Sequence, residues 1–122
     1  MKTQKIMTTQ EVATRLVELM QAGKIKQAQK ELYADNVISI QPPYDAEESI
    51  KGKAAVLKKS KEFAAMIKTP YNNSFSKALV ASDCFSCCVT LNIIVKGCPA
   101  IRKEICVFGV KDGKIAYEQF FF

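Results

Sequence analysis

Three turn signals divide the last 52 residues, 71–122, into four predicted strands, and this pattern constrains the fold more than any other feature. The signals are Ser82-Asp83, Lys96-Gly97 and Asp112-Gly113. Asp-Gly is the strongest of them because its two residues readily adopt the positive φ angles that a type I′ hairpin requires. We therefore predict a C-terminal four-strand antiparallel meander, whose cross-strand partners follow from the positions of the turns.

The first half of the chain favours helices. Thr8 and Glu11 have capping-box spacing ahead of apolar residues at helical intervals, and Gly23 ends this first helix. A second, short helix is predicted to end near Tyr33-Ala34-Asp35-Asn36. A third helix is predicted over residues 53–66, where apolar residues again recur at helical spacing.

One short strand is predicted between the second and third helices. Residues 37–41 alternate in polarity and stop at Pro42, which is typical of a strand that ends at a proline. Three helices followed by a meander is an α+β pattern, in which the helices cover one face of a mainly antiparallel sheet. At 122 residues, we expect a single domain spanning residues 1–122.

The composition excludes several kinds of chemistry. The chain has no histidine, so a Ser-His-Asp triad and a His-ligated metal are ruled out. The net charge is +6, but the lysines around the third helix lack interleaved aromatic residues, so we expect a solvated helix face and no nucleic-acid partner. No apolar run approaches the roughly 18 residues that a membrane span needs.

The cysteines all fall in the strand half of the chain, as Cys84, Cys87, Cys88, Cys98 and Cys106. An odd number of cysteines without an apolar signal-peptide stretch indicates reduced thiols, so we expect a cytoplasmic location. The Cys84-x-x-Cys87 spacing begins a strand and has no second pair, unlike a redox or zinc motif. We therefore predict buried packing roles for these cysteines, and no metal or cofactor.

The turns also assign side chains to the two faces of the sheet. The Lys96-Gly97 turn pairs Cys87 with Cys106, and the Asp112-Gly113 turn pairs Cys106 with Gln119. The odd residues of 85–95 are the apolar ones, so their face should meet the helices. A β-bulge would reverse the faces beyond it. The predicted inner face comprises Cys87, Val89, Leu91, Ile93, Arg102, Glu104, Cys106, Phe108, Val110, Ile115, Tyr117, Gln119 and Phe121.

Polar residues on this inner face allow two interpretations. Arg102, Glu104, Tyr117 and Gln119 could mark strand ends that open to solvent, with Arg102 and Glu104 paired locally. They could also be the few polar groups of an otherwise apolar ligand pocket. The outer face instead carries an apolar strip, which a symmetric homodimer would bury. The strip comprises Ile94, Ile105, Val107, Phe120 and Phe122.

The chain resembles the nuclear transport factor 2-like superfamily, in particular its SnoaL-like and ketosteroid-isomerase-like branch. The resemblance covers essentially the whole chain and implies a cone of helices on a curved sheet, with a deep pocket at its open end. It rests on the order of Thr9-Gln10-Glu11-Val12, Ala22-Gly23-Lys24-Ile25, Tyr33-Ala34-Asp35-Asn36, Pro42, Ile50-Lys51-Gly52, Gly97-x-Pro99 and Asp112-Gly113-Lys114-Ile115.

The residues that the isomerases of this branch use are missing. Their aspartate base aligns with Gln41, their first-helix tyrosine with Leu16 and their protonated aspartic acid with Cys106. An amide takes no proton at neutral pH, leucine offers no hydrogen bond and a thiol donates weakly. We therefore expect the isomerase reaction to be absent.

Three functions stay open. The first is a small-molecule-binding domain for a hydrophobic or polar-headed ligand. The second is an enzyme, isomerase-, cyclase- or lyase-like, that acts on a small hydrophobic substrate with Glu104 as base or Cys106 as nucleophile. The third is a protein-interaction scaffold that uses the open sheet face. The candidate ligand-binding residues are Leu16, Gln41, Arg102, Glu104, Cys106, Tyr117 and Gln119.

Overall fold

Helices and strands occupy most of the residues that the computed structural model describes, which are 6–40, 49–66, 74–95 and 97–121. The helices are α1 (Thr9–Gln21), α2 (Ile25–Leu32) and α3 (Lys53–Met66). The strands are β1 (Tyr33–Ile40), β2 (Ile50–Lys51), β3 (Ser74–Phe75), β4 (Leu79–Val80), β5 (Cys84–Val95), β6 (Cys98–Lys111) and β7 (Lys114–Phe121).

The predicted capping box begins α1. The Glu11 backbone N–H donates to Thr8 Oγ1 at 3.1 Å, and the Thr8 N–H donates to Glu11 Oε1 at 2.9 Å. Both contacts satisfy backbone groups that a helix N-terminus leaves without partners. The helix then buries Val12 and Leu16 against the sheet. No helix among the described residues combines the length and apolar character needed to cross a bilayer.

The described strands form one sheet in the order β2-β1-β7-β6-β5-β3, with β4 also paired to β5. All pairings are antiparallel except that of β1 with β7. The three helices and the curved, mainly antiparallel sheet confirm the predicted α+β class. The first strand of the predicted meander is represented by the two short strands β3 and β4.

The register between β5 and β6 is the predicted one throughout. Cys87 pairs with Cys106, and Val95 pairs with Cys98 next to the turn. The side chains of Cys87 and Cys106 are buried on the helix-covered face, as expected. The Lys96-Gly97 signal therefore predicts the faces of both long strands correctly.

The predicted register between β6 and β7 is wrong beyond the first two pairs. Val110 pairs with Ile115 as expected, but Gly109 then pairs with Tyr117, so Ala116 is an extra residue in β7. This β-bulge reverses the face of each later β7 residue. Glu118 and Phe120 therefore lie on the inner face. The predicted inner residues Tyr117, Gln119 and Phe121 lie on the outer face instead.

Burial along the inner face decreases toward the β5–β6 turn. Phe85 is 1% exposed and stacks on Phe108 with ring centroids 5.0 Å apart, and Val89 is 8% exposed. Leu91, further along β5, is only half-buried. The space between the helices and the sheet is thus closed at the Phe85 end and more accessible at the Leu91 end.

Candidate functional site

Polar side chains meet the inner sheet face at two levels. One level is the row formed by Phe85, Phe108, Glu118 and Ser39 on four neighbouring strands. The other lies further along β6, toward the accessible end, where Arg102 and Glu104 face Leu91 and Val89 of β5. Cys106 lies between these two levels on β6, because alternate residues of a strand share a face.

Arg102 and Glu104 form an ion pair at the accessible end. Arg102 Nε donates to Glu104 Oε2 at 2.5 Å, and Arg102 Nη2 lies 2.5 Å from the same oxygen. The Glu104 side chain is buried, whereas the Arg102 side chain remains partly exposed. The guanidinium carbon of Arg102 also lies 5.5 Å from the centre of the Phe63 ring, which is a cation–π contact from α3. The pair therefore offers one donor group and one acceptor group among apolar walls.

A second polar cluster is buried at the closed end. The Tyr33 hydroxyl donates to Glu118 Oε1, and the Ser39 hydroxyl donates to Glu118 Oε2 at 2.6 Å. Burial raises the pKa of Glu118, and the two hydrogen bonds oppose that shift. Burial and the neighbouring Glu118 carboxyl raise the pKa of Tyr33 well above its ordinary value. Burial therefore disfavours the ionised form of Glu118, whereas two hydroxyl donors stabilise it.

The predicted burial of the cysteines is wrong for Cys84, Cys88 and Cys98, which are exposed, and right for Cys87 and Cys106 on the inner face. The two inner cysteines are unsuited to nucleophilic chemistry. Burial raises the pKa of the Cys87 thiol to about 11. Burial and the Glu104 and Glu118 carboxyls raise the pKa of Cys106 above its ordinary value. Because the thiolate is the reactive form of cysteine, both side chains resemble inert packing groups. The geometry gives no support to Cys106 as a nucleophile.

The structure brings together only some of the predicted ligand-binding residues. Arg102, Glu104 and Cys106 share the inner face of β6. Leu16 is buried in the core on α1.

Two of the predicted ligand-binding residues lie on the sheet face opposite to the predicted one. Tyr117 and Gln119 are on the outer face, where the Tyr117 hydroxyl donates to Gln119 Oε1. They are therefore removed from the interior site by the β7 bulge. Gln41 lies outside the described residues.

Glu118 is the buried acid that the sequence reasoning missed. Counting from the Asp112-Gly113 turn places Glu118 on the outer face, because the count assumes a regular ladder. Gly109 was the available signal, since an isolated glycine in a strand often marks a bulge or a close backbone approach. A Cβ at Gly109 would lie 3.4 Å from Tyr117 Cβ, so glycine gives the Tyr117 side chain room to pack on β6.

Other surface features lie away from the inner face. A depression of about 630 Å³ is lined by residues 23–27 with Lys30 and Glu31. These residues are on the solvent side of α2, whereas Ala28 and Leu32 face the core.

Within the described ranges, no group of three or more acidic or cysteine side chains is arranged to hold a metal ion.

Comparison with known proteins identifies the family. The SnoaL-like domain profile matches residues 7–122. The chain belongs to the SnoaL-like domain family. The match confirms the SnoaL-like resemblance of the sequence, and the fold is that of nuclear transport factor 2-like proteins. No curated protein matches the sequence.

Solved structures share the fold of this SnoaL-like domain. A candidate SnoaL-like polyketide cyclase from Mesorhizobium loti is 24% identical, with a TM-score of 0.88 over 95% of this chain and 100% of that one. A nuclear transport factor 2-like protein of unknown function from Burkholderia pseudomallei is 12% identical, with a TM-score of 0.74 over 96% and 92%. A candidate polyketide cyclase from Pseudomonas putida is 16% identical, with a TM-score of 0.71 over 95% and 92%. At these identities, the similarity shows the fold alone.

Proposed function

We propose that residues 1–122 form a single domain that binds a small, largely hydrophobic molecule with a polar head, between the helices and the inner sheet face. The observation that carries the proposal is the Arg102–Glu104 pair at the accessible end of this face. Leu91 and Val89 lie opposite the pair, and the Phe63 ring lies beside the guanidinium. A few polar groups among apolar walls are typical of small-molecule sites.

Stability alone is a poor explanation for this pair. Removing charged groups from water costs free energy, and apolar residues of similar volume often stabilise a protein equally well. Arg102 can donate to the polar head of a ligand while Glu104 accepts from it. The deeper Cys106 and Val89 would contact its hydrophobic body. The names of the structural relatives, two of them candidate cyclases, also support a small-molecule site.

Thermal unfolding with a panel of steroids, polyketides and aromatic acids tests the proposal. A ligand at 100 times its dissociation constant stabilises the native state by about 2.7 kcal/mol. We expect such a shift for the wild type and for Lys103→Met, because Lys103 is exposed on the opposite face. We expect Arg102→Met to lose it. The proposal fails if no compound shifts the melting temperature, or if Arg102→Met binds as well as Lys103→Met.

Catalysis with a different residue set is the second candidate function. Glu104 favours it, because this carboxyl is buried at the accessible end beside a cation. A pH-dependent turnover of a small hydrophobic substrate that is abolished in Glu104→Gln and retained in Lys103→Met would support an enzyme. Binding without turnover would support the binding domain alone.

We also propose a symmetric homodimer through the outer sheet face. The β7 bulge changes the strip expected there: Phe120 turns inward, Phe121 replaces it and Phe122 lies outside the described residues. Ile101, Ile105 and Phe121 are 69%, 53% and 41% exposed, and Ile105 pairs directly with Phe121. A symmetric partner would cover this apolar surface.

Sedimentation analysis of the wild type and Ile105→Lys tests the dimer. We expect a dimer for the wild type and a folded monomer for the variant, because in the interface a lysine at position 105 adds a second buried cation beside Lys103 on the same face. Lys103→Met serves as a control on the same face and strand. A wild-type monomer would contradict the dimer and favour the protein-interaction scaffold.

A reducing location such as the cytoplasm suits the five free thiols.

A further inference from the structure

The parallel pairing of β1 with β7 is interrupted. Tyr33 pairs with Ile115, but the next described pair is Ile38 with Tyr117. Between these two pairs the chain advances by five positions in β1 and by only two in β7. The ladder resumes with Ser39 opposite Glu118 and Ile40 opposite Gln119. We call this contact between β1 and β7 the seam. Its described backbone pairs therefore lie only before and after the interruption.

Glu118 bridges the interruption with its side chain. Its Oε1 accepts from the Tyr33 hydroxyl, before the break in β1, and its Oε2 accepts from the Ser39 hydroxyl, after the break. One carboxyl group thus connects both paired segments of β1 to β7. Tyr33, Ser39 and Glu118 are all buried, with Glu118 only 4% exposed.

Among the described residues, no cation pairs with the Glu118 carboxyl group. The ion pairs between described residues include Arg15 with Glu18 and Glu31, and Arg102 with Glu104, but Glu118 takes part in none. An unpaired buried carboxylate is costly, and such a group usually takes up a proton instead. In the neutral form, the protonated carboxyl oxygen donates to one of the two hydroxyl groups while the other oxygen still accepts from the second, so the bridge persists.

We propose that Glu118 is a proton-dependent latch on the β1–β7 seam. The neutral carboxyl group holds β1 against β7, and loss of its proton favours opening of the seam, where water can solvate the charge. The helix α3 packs on β1 and carries Phe63, which lies on Arg102. If the proposed ligand site is correct, opening of the latch would therefore disturb one wall of that site.

The direction of the pH dependence follows from proton linkage. In the open seam, Glu118 is solvated and ionises near the ordinary value of about 4.3, whereas the closed seam retains the proton to higher pH. Opening thus releases a proton. Its equilibrium constant should rise by up to about tenfold per pH unit above the ordinary value, until the closed seam also ionises.

The other groups around Glu118 do not change their charge in the pH range where the seam is expected to open. Tyr33 on β1 and Cys106 on β6 both have raised pKa values, from ordinary values of 10.0 and 9.0. Ser39 on β1 has no charge. Gln29 on α2 is also neutral. Its side-chain hydrogen bond lowers the pKa of Tyr33, and its amide donates to Ser60 Oγ at 2.8 Å.

Hydrogen exchange without any ligand tests the latch independently of the proposed function. Protection factors for the β1 amides are measured from about pH 4 to about pH 8, with intrinsic rates corrected by an unstructured peptide. In the wild type, we expect β1 protection to fall by up to about tenfold per pH unit over part of this interval. In Glu118→Gln, which stays neutral and keeps an acceptor oxygen, we expect protection to be constant. The same pH dependence in both proteins would overturn the latch.

Infrared spectroscopy supplies a second readout that does not depend on seam opening. Above the ordinary glutamic acid pKa of about 4.3, the wild type should still show a protonated carboxylic acid carbonyl band, which is lost in Glu118→Gln. Glu104→Gln is the matched control, because it removes the other buried carboxyl group of the inner face, which is paired with Arg102, and should leave the band in place. A band that disappears in Glu104→Gln and persists in Glu118→Gln would contradict the proposal. If Glu118→Gln does not fold, Ser39→Ala, which weakens the bridge and keeps the acid, should reduce β1 protection and retain the band.

Discussion

The Ser39 hydroxyl lies 2.6 Å from Glu118 Oε2 and donates to it across the parallel strands β1 and β7. The two residues are cross-strand partners, so the contact follows from the backbone register. It also joins the β1–β2 edge of the sheet to the central strands. A loss of this contact should therefore reduce the stability of the whole sheet as well as that of one side-chain environment.

We predict that Ser39→Ala lowers the free energy of unfolding by about 1–3 kcal/mol, because it leaves a buried carboxyl oxygen without its donor. Urea denaturation followed by circular dichroism measures the change. Ser86→Ala is the control, because Ser86 lies on the outer face of β5 and is only half-buried. Surface substitutions of this kind usually change stability by less than about 0.5 kcal/mol. Equal effects of the two substitutions would show that the Ser39 contact contributes nothing specific.

The fold could be predicted from the sequence because its strongest signals are local. The capping box of Thr8 and Glu11, the positive φ of Gly23 and the Asp112-Gly113 turn each depend on neighbouring residues. The register of β5 and β6 followed from one turn, since an uninterrupted ladder carries it along both strands. Arg102, Glu104 and Cys106 were placed correctly for the same reason.

The Tyr33–Ser39–Glu118 cluster could not be predicted because it depends on non-local geometry. One extra residue in β7 reverses the face of Glu118, and no turn signal reports that residue. Tyr33 and Ser39 reach Glu118 through a parallel pairing between distant parts of the chain. Alternation in β1 alone could not identify its partner strand.

The Arg102–Glu104 pair should show strong energetic coupling. We predict that Arg102→Met destabilises the protein by about 1–3 kcal/mol, because buried Glu104 loses its counter-charge; the partial exposure of Arg102 keeps the value at the low end for buried pairs. The double variant Arg102→Met/Glu104→Leu should be more stable than Arg102→Met alone, since no buried charge remains. A double-mutant cycle by urea denaturation measures the coupling. If the effects of the two single substitutions simply add up, water and not Arg102 stabilises the Glu104 carboxyl group.

Gly113 should tolerate a side chain less well than Gly97 does, although both are turn glycines with positive φ angles of 76° and 80°. A Cβ at Gly113 would lie 2.7 Å from Ile6 Cγ2 and 3.0 Å from the Met7 backbone nitrogen. A Cβ at Gly97 would meet no described atom within 4 Å. We predict that Gly97→Ala costs about 1–2 kcal/mol for its backbone conformation.

Gly113→Ala should cost about 1–3 kcal/mol more than Gly97→Ala, because the segment before α1 must also move away from the turn. Thermal unfolding of the two variants gives the comparison. Equal losses of stability would mean that residues 6 and 7 do not pack on the β6–β7 turn in solution.

The cysteines should react with iodoacetamide in an order set by access and thiolate formation. Cys84 and Cys98 are exposed and should be alkylated in the native protein. Cys87 and Cys106 are buried, and their raised pKa values disfavour the thiolate, so they should react only after unfolding. Mass spectrometry of a labelling time course at about pH 8 distinguishes the sites, and a sample in denaturant should show all five thiols labelled.

Cys88 makes the same experiment informative about the outer face. It is exposed and lies directly opposite Ile105, in the middle of the proposed dimer surface. In a dimer, Cys88 should be protected at high protein concentration and become reactive on dilution or in Ile105→Lys. Cys98, beside the β5–β6 turn, should be labelled at the same rate in every case. Labelling of Cys106 as fast as Cys98 in the native protein would instead show that the inner face is open to solvent at its centre, contrary to the burial on which the candidate site depends.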